Sequence, residues 1–122
     1  RLLDRDRVLD RRLAVVVGAA WAGACGGGSK SGYVLADSRS YEATLFRQNC
    51  AICHGPEGEG RTLDNGTVVP SLRKGEFKSV TEEQIYKQIA EGGNGMLPFR
   101  RQLSDREIKL LVTMVKRDLR GQ

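Results

Sequence analysis

The 122-residue chain has few of the residues that build disulfide frameworks or large aromatic cores. It contains three cysteines, one histidine and three prolines, and only 6% of its residues are aromatic. Its long apolar run, residues 13–24, falls short of the roughly 20 residues that a permanent membrane-spanning helix needs. The length allows one small domain and excludes a two-domain enzyme.

The excess of positive charge is also small. Twenty Lys and Arg against fifteen Asp and Glu give a formal net charge of +5. The basic residues are scattered along the chain, whereas a dedicated nucleic-acid binder gathers them on one face or stretch. We therefore expect no nucleic-acid partner.

The N-terminal part of the sequence is typical of an export signal. Charged residues 1–12 precede the apolar run, and Cys25 follows it and leads into a Gly/Ser-rich stretch. We expect residues 1–24 to be a signal peptide, residues 25–39 to be a flexible tether, and residues 40–122 to form the folded domain.

The residues around the expected cleavage point resemble the lipobox of bacterial lipoproteins. Ala22, Gly23 and Ala24 precede Cys25, the residue that would be acylated. Such boxes usually carry Leu where this chain has Ala22, so ordinary signal-peptidase cleavage stays open. Lipidation of Cys25 would give a membrane-anchored lipoprotein of the periplasm or cell envelope. Ordinary cleavage would give a soluble periplasmic protein.

Three helical stretches are predicted after the tether, and each begins at a capping signal. Ser40 precedes the first stretch. Thr81 with Gln84 and Ser104 with Glu107 form capping boxes at the start of the second and third. Apolar residues recur at helical spacing in these stretches, and no run alternates well enough to predict a strand.

A long Gly-rich loop separates the first two of these helices. The segment 55–79 contains five Gly and two Pro and shows little periodicity. Three short helices around so long a loop bury too little apolar surface to be stable alone. A large apolar cofactor would make up the deficit.

Cys50, Cys53 and His54 form a C-x-x-C-H motif, the attachment sequence of c-type haem. Two thiols at this spacing can bond the two vinyl groups on one edge of the macrocycle, and the adjacent imidazole can reach the iron. A thioredoxin-like pair would need a preceding strand, and a zinc site would need a fourth ligand. A disulfide would leave His54 unexplained. The motif therefore predicts one covalent haem c.

Residues 41–122 resemble the monohaem class I cytochromes c. The resemblance rests on these segments: Leu45-Phe46, the CAICHG of residues 50–55, Gly58-Glu59-Gly60, Val69-Pro70-Ser71-Leu72, residues 95–99 and Leu103-Ser104-Asp105. It implies an all-α, small cytochrome c fold in which three or four helices and the Gly-rich loop wrap around the haem.

The resemblance also implies roles for individual residues. In this family a Met in the loop before the last helix is the sixth iron ligand, and Met96 matches it, whereas Met114 is expected to pack in the core. Pro70 matches the proline whose carbonyl accepts a hydrogen bond from the ligating imidazole. Phe46 matches the contact where the first and last helices cross beside the haem.

Ligation of iron by both His54 and Met96 would leave no open position for a substrate. The resemblance therefore implies a monomeric one-electron carrier between periplasmic or membrane redox partners, and not an enzyme. The alternative is a haem c subunit bound permanently to a periplasmic dehydrogenase or oxidase. We further predict a basic rim that meets an acidic docking surface on the partner. Its members are Lys74, Lys78, Lys87, Arg100 and Arg101.

Overall fold

The computed structural model describes residues 32–122. The predicted signal peptide and the candidate lipidation site Cys25 lie outside the described residues. Within the described range the chain forms helices α1 (Tyr41–Asn49), α2 (Ala51–His54), α3 (Glu82–Glu91) and α4 (Asp105–Thr113), a π-helical segment (Met114–Leu119), and strands β1 (Arg61–Thr62) and β2 (Val68–Val69). The domain is thus mostly helical.

The three longer helices begin where the sequence predicted. The Ser40 hydroxyl accepts a hydrogen bond from the Ala43 backbone N–H at the start of α1. Both predicted capping boxes are formed, one at the start of α3 and one at the start of α4. These signals are local, because each satisfies backbone N–H groups that lie within one helical turn.

Two short strands correct the expectation of an all-α domain. Residues of β1 and β2 pair antiparallel, with Arg61 opposite Val69 and Thr62 opposite Val68. The connecting turn is closed by a 2.8 Å hydrogen bond from the Leu63 N–H to the Thr67 carbonyl. Two-residue strands are too short to show the alternation by which strands are recognised in a sequence.

The last helix also departs from the sequence prediction. The spacing of its apolar residues favours one α-helix that ends at Gly121, but the helix widens into the π-helical segment after Thr113. At its end the Arg120 N–H donates to the Val115 carbonyl, five residues earlier, at 3.0 Å. Met114 is completely buried there, as expected for a core residue. The widening has no local sequence signal, because the side-chain pattern of this segment suits an α-helix equally well.

The core lies where α1 packs against α4. Phe46 of α1 and Ile108 and Leu111 of α4 are almost completely buried in one apolar cluster, and Val112 belongs to it as well. Helix α3 packs on α4 from another side. This arrangement agrees with the predicted crossing of the first and last helices.

A segment ahead of α1 is held against the domain by charged side chains. The Glu57 carboxylate accepts hydrogen bonds from the backbone N–H groups of Leu35 and Ala36, at 2.7 and 2.9 Å. The Arg47 guanidinium donates to the carbonyls of Leu35 and Ser38, at 2.6 and 2.9 Å. The Leu35 side chain is completely buried.

Arg73 completes this arrangement, which we call the N-terminal clasp (Leu35, Arg47, Glu57 and Arg73). Its guanidinium lies 3.1 Å from the Glu57 carboxylate and donates to the Tyr33 carbonyl at 2.9 Å. Residues 33–38 are therefore part of the folded domain, although the sequence favoured a free tether through residue 39. The residues that contact one another in the clasp are distant in sequence, so no local sequence pattern predicts it.

The clasp yields a stability prediction for Glu57. Because Glu57→Ala removes a charged acceptor shared by two backbone N–H groups, we expect the free energy of unfolding to fall by about 1.5–3 kcal/mol. Glu76→Ala is the matched control, since Glu76 is exposed, and its effect should stay within about 0.5 kcal/mol. Urea unfolding of the mature protein measures both. Equal effects of the two substitutions would contradict a role for the clasp.

Candidate functional site

The C-x-x-C-H motif occupies the junction between α1 and α2. The Cys50 N–H donates to the Phe46 carbonyl at 2.8 Å, as the last bond of α1. The His54 N–H donates to the Cys50 carbonyl at 2.9 Å, within the next turn. Gly55, with a φ of 84°, ends that turn. The motif is thus carried on one helical turn that directly continues the buried helix α1.

The two thiols are free and differ in environment. Cys50 is half-buried and Cys53 is exposed. Burial, with a smaller contribution from the neighbouring Cys53, raises the pKa of Cys50 to about 12. The Cys50 side chain therefore remains a protonated thiol at neutral pH.

The imidazole of His54 is partly removed from water. Burial lowers its pKa below the ordinary value, because the charged form loses hydration. The neutral form that results at neutral pH is the one that binds a metal ion. Its Nδ1 atom is buried and has no hydrogen-bond partner.

Pro70 lies close to the loop that follows the motif. A Cβ added at Gly60 would approach the Pro70 carbonyl carbon to 2.8 Å. The Gly60 N–H in turn donates to the His54 carbonyl at 2.8 Å. The predicted bond from the imidazole to the Pro70 carbonyl is not formed in this structure, where His54 Nδ1 is unpartnered. The role of Pro70 toward the imidazole therefore stays a prediction.

Met96 is held by a tight turn over residues 93–96. The Gly93 N–H donates to the Met96 carbonyl at 2.9 Å, and the Met96 N–H donates to the Gly93 carbonyl at 3.0 Å. Both central residues have positive φ, 53° at Asn94 and 87° at Gly95. Asn-Gly is the preferred pair for such a turn, since both residues tolerate this conformation.

The loop that carries Met96, residues 92–99, is fastened to the end of α3. A Cβ at Gly92 would lie 2.5 Å from the Met96 carbonyl oxygen, so only glycine permits this approach. The Phe99 N–H donates to the Ile89 carbonyl at 3.0 Å, which closes the loop on the helix. Met96 is half-buried and packs against the core, whereas Met114 lies inside it.

Large apolar side chains are exposed beside both candidate ligands. Ile52, inside the motif, is 75% exposed, and Leu97, next to Met96, is 70% exposed. Exposed apolar side chains in these positions suit contact with an apolar group. Together with the two thiols, the imidazole of His54 and the thioether of Met96, they fit a covalently attached haem.

All five members of the predicted basic rim are exposed. Arg100 lies 3.7 Å from the Glu91 carboxylate, and both side chains are more than half exposed, so this ion pair contributes little to stability. Among residues 32–122, no helix is long and apolar enough to cross a membrane. The same residues contain no group of three or more His, Cys, Asp or Glu side chains arranged to hold a metal ion.

The fold and the site define a c-type cytochrome domain. Residues 42–114 match the family model described as cytochrome c oxidase, cbb3-type, subunit III. This match covers more than half of the chain, and the chain belongs to that family. Membership implies a covalently bound haem c, and cytochrome c subunits of respiratory complexes are electron-transfer proteins, not enzymes.

Curated relatives show the same domain within longer proteins. The chain is 37% identical over 73 residues to the cytochrome bc1 complex cytochrome c subunits of Corynebacterium efficiens and Mycobacterium tuberculosis. The matched segment covers 59% of this chain but only 23% and 24% of those proteins. The chain therefore spans about a quarter of the length of the curated relatives it matches.

A solved structure supports the fold. The KustC0563 c-type cytochrome is 33% identical in sequence and superposes with a TM-score of 0.55. The superposition covers 63% of this chain and 94% of that protein. The similarity therefore extends over nearly the whole of a c-type cytochrome.

The motif geometry predicts which residues attach the cofactor. Protein matured with the haem c machinery should retain haem after denaturing extraction. Cys50→Ala should weaken attachment, because one of the two thiols is lost, and His54→Ala should abolish the native absorption spectrum. Cys25→Ser is the control and should leave attachment unchanged. Mass spectrometry measures retained haem, and complete loss of haem from the denatured wild type would contradict the assignment.

Proposed function

We propose that the chain carries single electrons on one haem c ligated by His54 and Met96. The observation that carries the proposal is that the two candidate ligands lie on separate segments, each fixed by backbone hydrogen bonds to a helix. His54 continues α1, and the turn of Met96 closes on α3. Bound there, haem c supplies an iron that alternates between the ferrous and ferric states.

The loops around the site suit electron transfer because backbone hydrogen bonds hold them in fixed positions. The loop of Met96 is tied to α3 at both ends, and Gly60 ties the loop after the motif to the His54 carbonyl. A rigid ligand set needs little rearrangement when the charge of the iron changes. A thioether ligand favours the ferrous state and raises the reduction potential.

The relatives suggest where the protein works. Since they are subunits of cytochrome bc1 complexes, we propose that this domain exchanges electrons with a respiratory complex on the extracytoplasmic side of a membrane. The predicted export signal supports that location, and acylation of Cys25 is proposed as the anchor. The exposed basic rim is proposed to face an acidic partner.

A second candidate is a permanently bound subunit of such a complex. It is favoured by the description of the relatives as subunits, whereas a mobile monomeric carrier would meet its partners only transiently. Both candidates use the same ligands. They differ in how long the protein stays with its partner.

The two methionines test the ligand assignment. Met96→Ala should remove the weak sulfur-to-iron charge-transfer band at the red end of the ferric spectrum, lower the potential and admit exogenous ligands. Met114→Ala should keep that band and reduce stability by about 2–5 kcal/mol, because Met114 is fully buried. Absorption spectroscopy and urea unfolding measure both effects. The reverse pattern would transfer the assignment to Met114.

Purification in mild detergent from the native membrane separates the carrier from the subunit. A bound subunit should elute with a large partner in size-exclusion chromatography at both low and high salt. A carrier that meets its partner through charges should elute alone, and any association should vanish at high salt. Co-elution that persists at high salt would overturn the mobile-carrier proposal.

A further inference from the structure

We infer that Gln88 of α3 is a positioning residue for the thioether of Met96. The inference rests on the proposed ligation of iron by Met96. The Gln88 Nε2 group lies 3.0 Å from the Gly93 carbonyl oxygen and 3.7 Å from the Met96 sulfur. A glutamine amide has two N–H donors, so it can serve both acceptors at once.

The location of Gln88 on α3 explains how it reaches the loop. The buried face of the helix is formed by Ile85, Ile89 and Ala90. Gln88 precedes Ile89 and is half-buried, so it lies at the border between the core and the surface. From this border its side chain extends along the last turn of the helix to the turn at residues 93–96.

Other hydrogen bonds hold the backbone of this turn, but none of them involves the thioether of Met96. The Met96 N–H also donates to the Gly93 carbonyl, and the Phe99 N–H fastens the end of the loop to α3. The methionine side chain has three rotatable bonds and no other hydrogen bond in the described part of the chain. Replacement of Gln88 therefore removes the hydrogen bond of the sulfur, whereas the backbone of the turn keeps other hydrogen bonds.

The amide of Gln88 should affect the sulfur in two ways. It selects one orientation of a flexible side chain, which favours the ligated state over its replacement by another ligand. It also places the positive end of an N–H dipole beside the sulfur, which reduces electron donation and disfavours the ferric state. A thioether sulfur is a weak acceptor, so both effects should be modest.

The experiment compares Gln88→Leu and Gln88→Glu with the wild type, each as the matured holoprotein. At neutral pH, neither the leucine nor the glutamate side chain has a hydrogen-bond donor. We expect the affinity of the ferric protein for imidazole to rise about two- to tenfold in both variants, the range that loss of the hydrogen bond to the sulfur supports by itself. In the uncharged Leu variant the reduction potential should fall, and the charge-transfer band should shift in wavelength.

The wavelength of the charge-transfer band distinguishes a direct effect of Gln88 on the Met96 sulfur from a structural effect on the loop. A loosened loop would reduce the intensity of the band, whereas a change in the sulfur itself moves its wavelength. Gln102→Leu is the matched control, because Gln102 is exposed and its side chain makes no hydrogen bond in the described structure. It should keep the wild-type affinity, potential and band.

The outcomes distinguish this inference from the proposed function. In one outcome, Met96→Ala loses the band, but both Gln88 variants match Gln102→Leu in potential, imidazole affinity and band position. Met96 then remains the ligand, and the inference about Gln88 is wrong. If Met96→Ala keeps the band, the proposed ligation itself fails and the inference fails with it. A shifted band and a lower potential in Gln88→Leu, with neither change in Gln102→Leu, support the inference about Gln88.

Discussion

The close approach of loop backbones to helix ends is the constraint on which the site depends. Gly92 allows the Met96 carbonyl to lie where a Cβ would otherwise stand, and Gly60 does the same for the segment that contains Pro70. Both loops are thereby fastened by backbone hydrogen bonds, which need no particular side chain. A domain with so few apolar residues can thus fix Met96 on a loop and hold the loop that follows His54 in place.

Three charged side chains hold the segment ahead of α1 against the domain. Arg47, Glu57 and Arg73 donate to or accept from backbone groups of residues 33–38. These contacts enclose Leu35, which is fully buried although it lies outside the helices. The segment between the predicted anchor and the domain is therefore shorter than its composition indicates. The distance over which the domain can move from an anchor at Cys25 would shrink accordingly.

The family match and the geometry of the loops concern different properties of the protein. The family match covers the helices and both candidate ligand segments, and it identifies an electron-transfer domain with covalent haem c. The proposed ligation of iron by His54 and Met96 rests on the C-x-x-C-H motif and on the resemblance to class I cytochromes c, and the backbone hydrogen bonds that fix both segments support it. The much greater length of the relatives leaves the partner a matter for proposal. Electron transfer is a property of the domain, whereas its partner depends on what surrounds it.

The sequence by itself determined the helix starts and the haem-attachment motif, because capping boxes and C-x-x-C-H are local patterns that act within one or two turns. It also indicated Met96 over Met114, and the structure places Met114 in the core. Only the tertiary structure decided the pairing of β1 with β2, the clasp through Glu57, and the contact of Gln88 with the Met96 sulfur. The contacts of Glu57 with Leu35 and Ala36 join residues more than twenty positions apart, and the strands and the Gln88 contact depend on how a loop folds back. Such contacts follow from the path of the backbone in space, which local spacing does not encode.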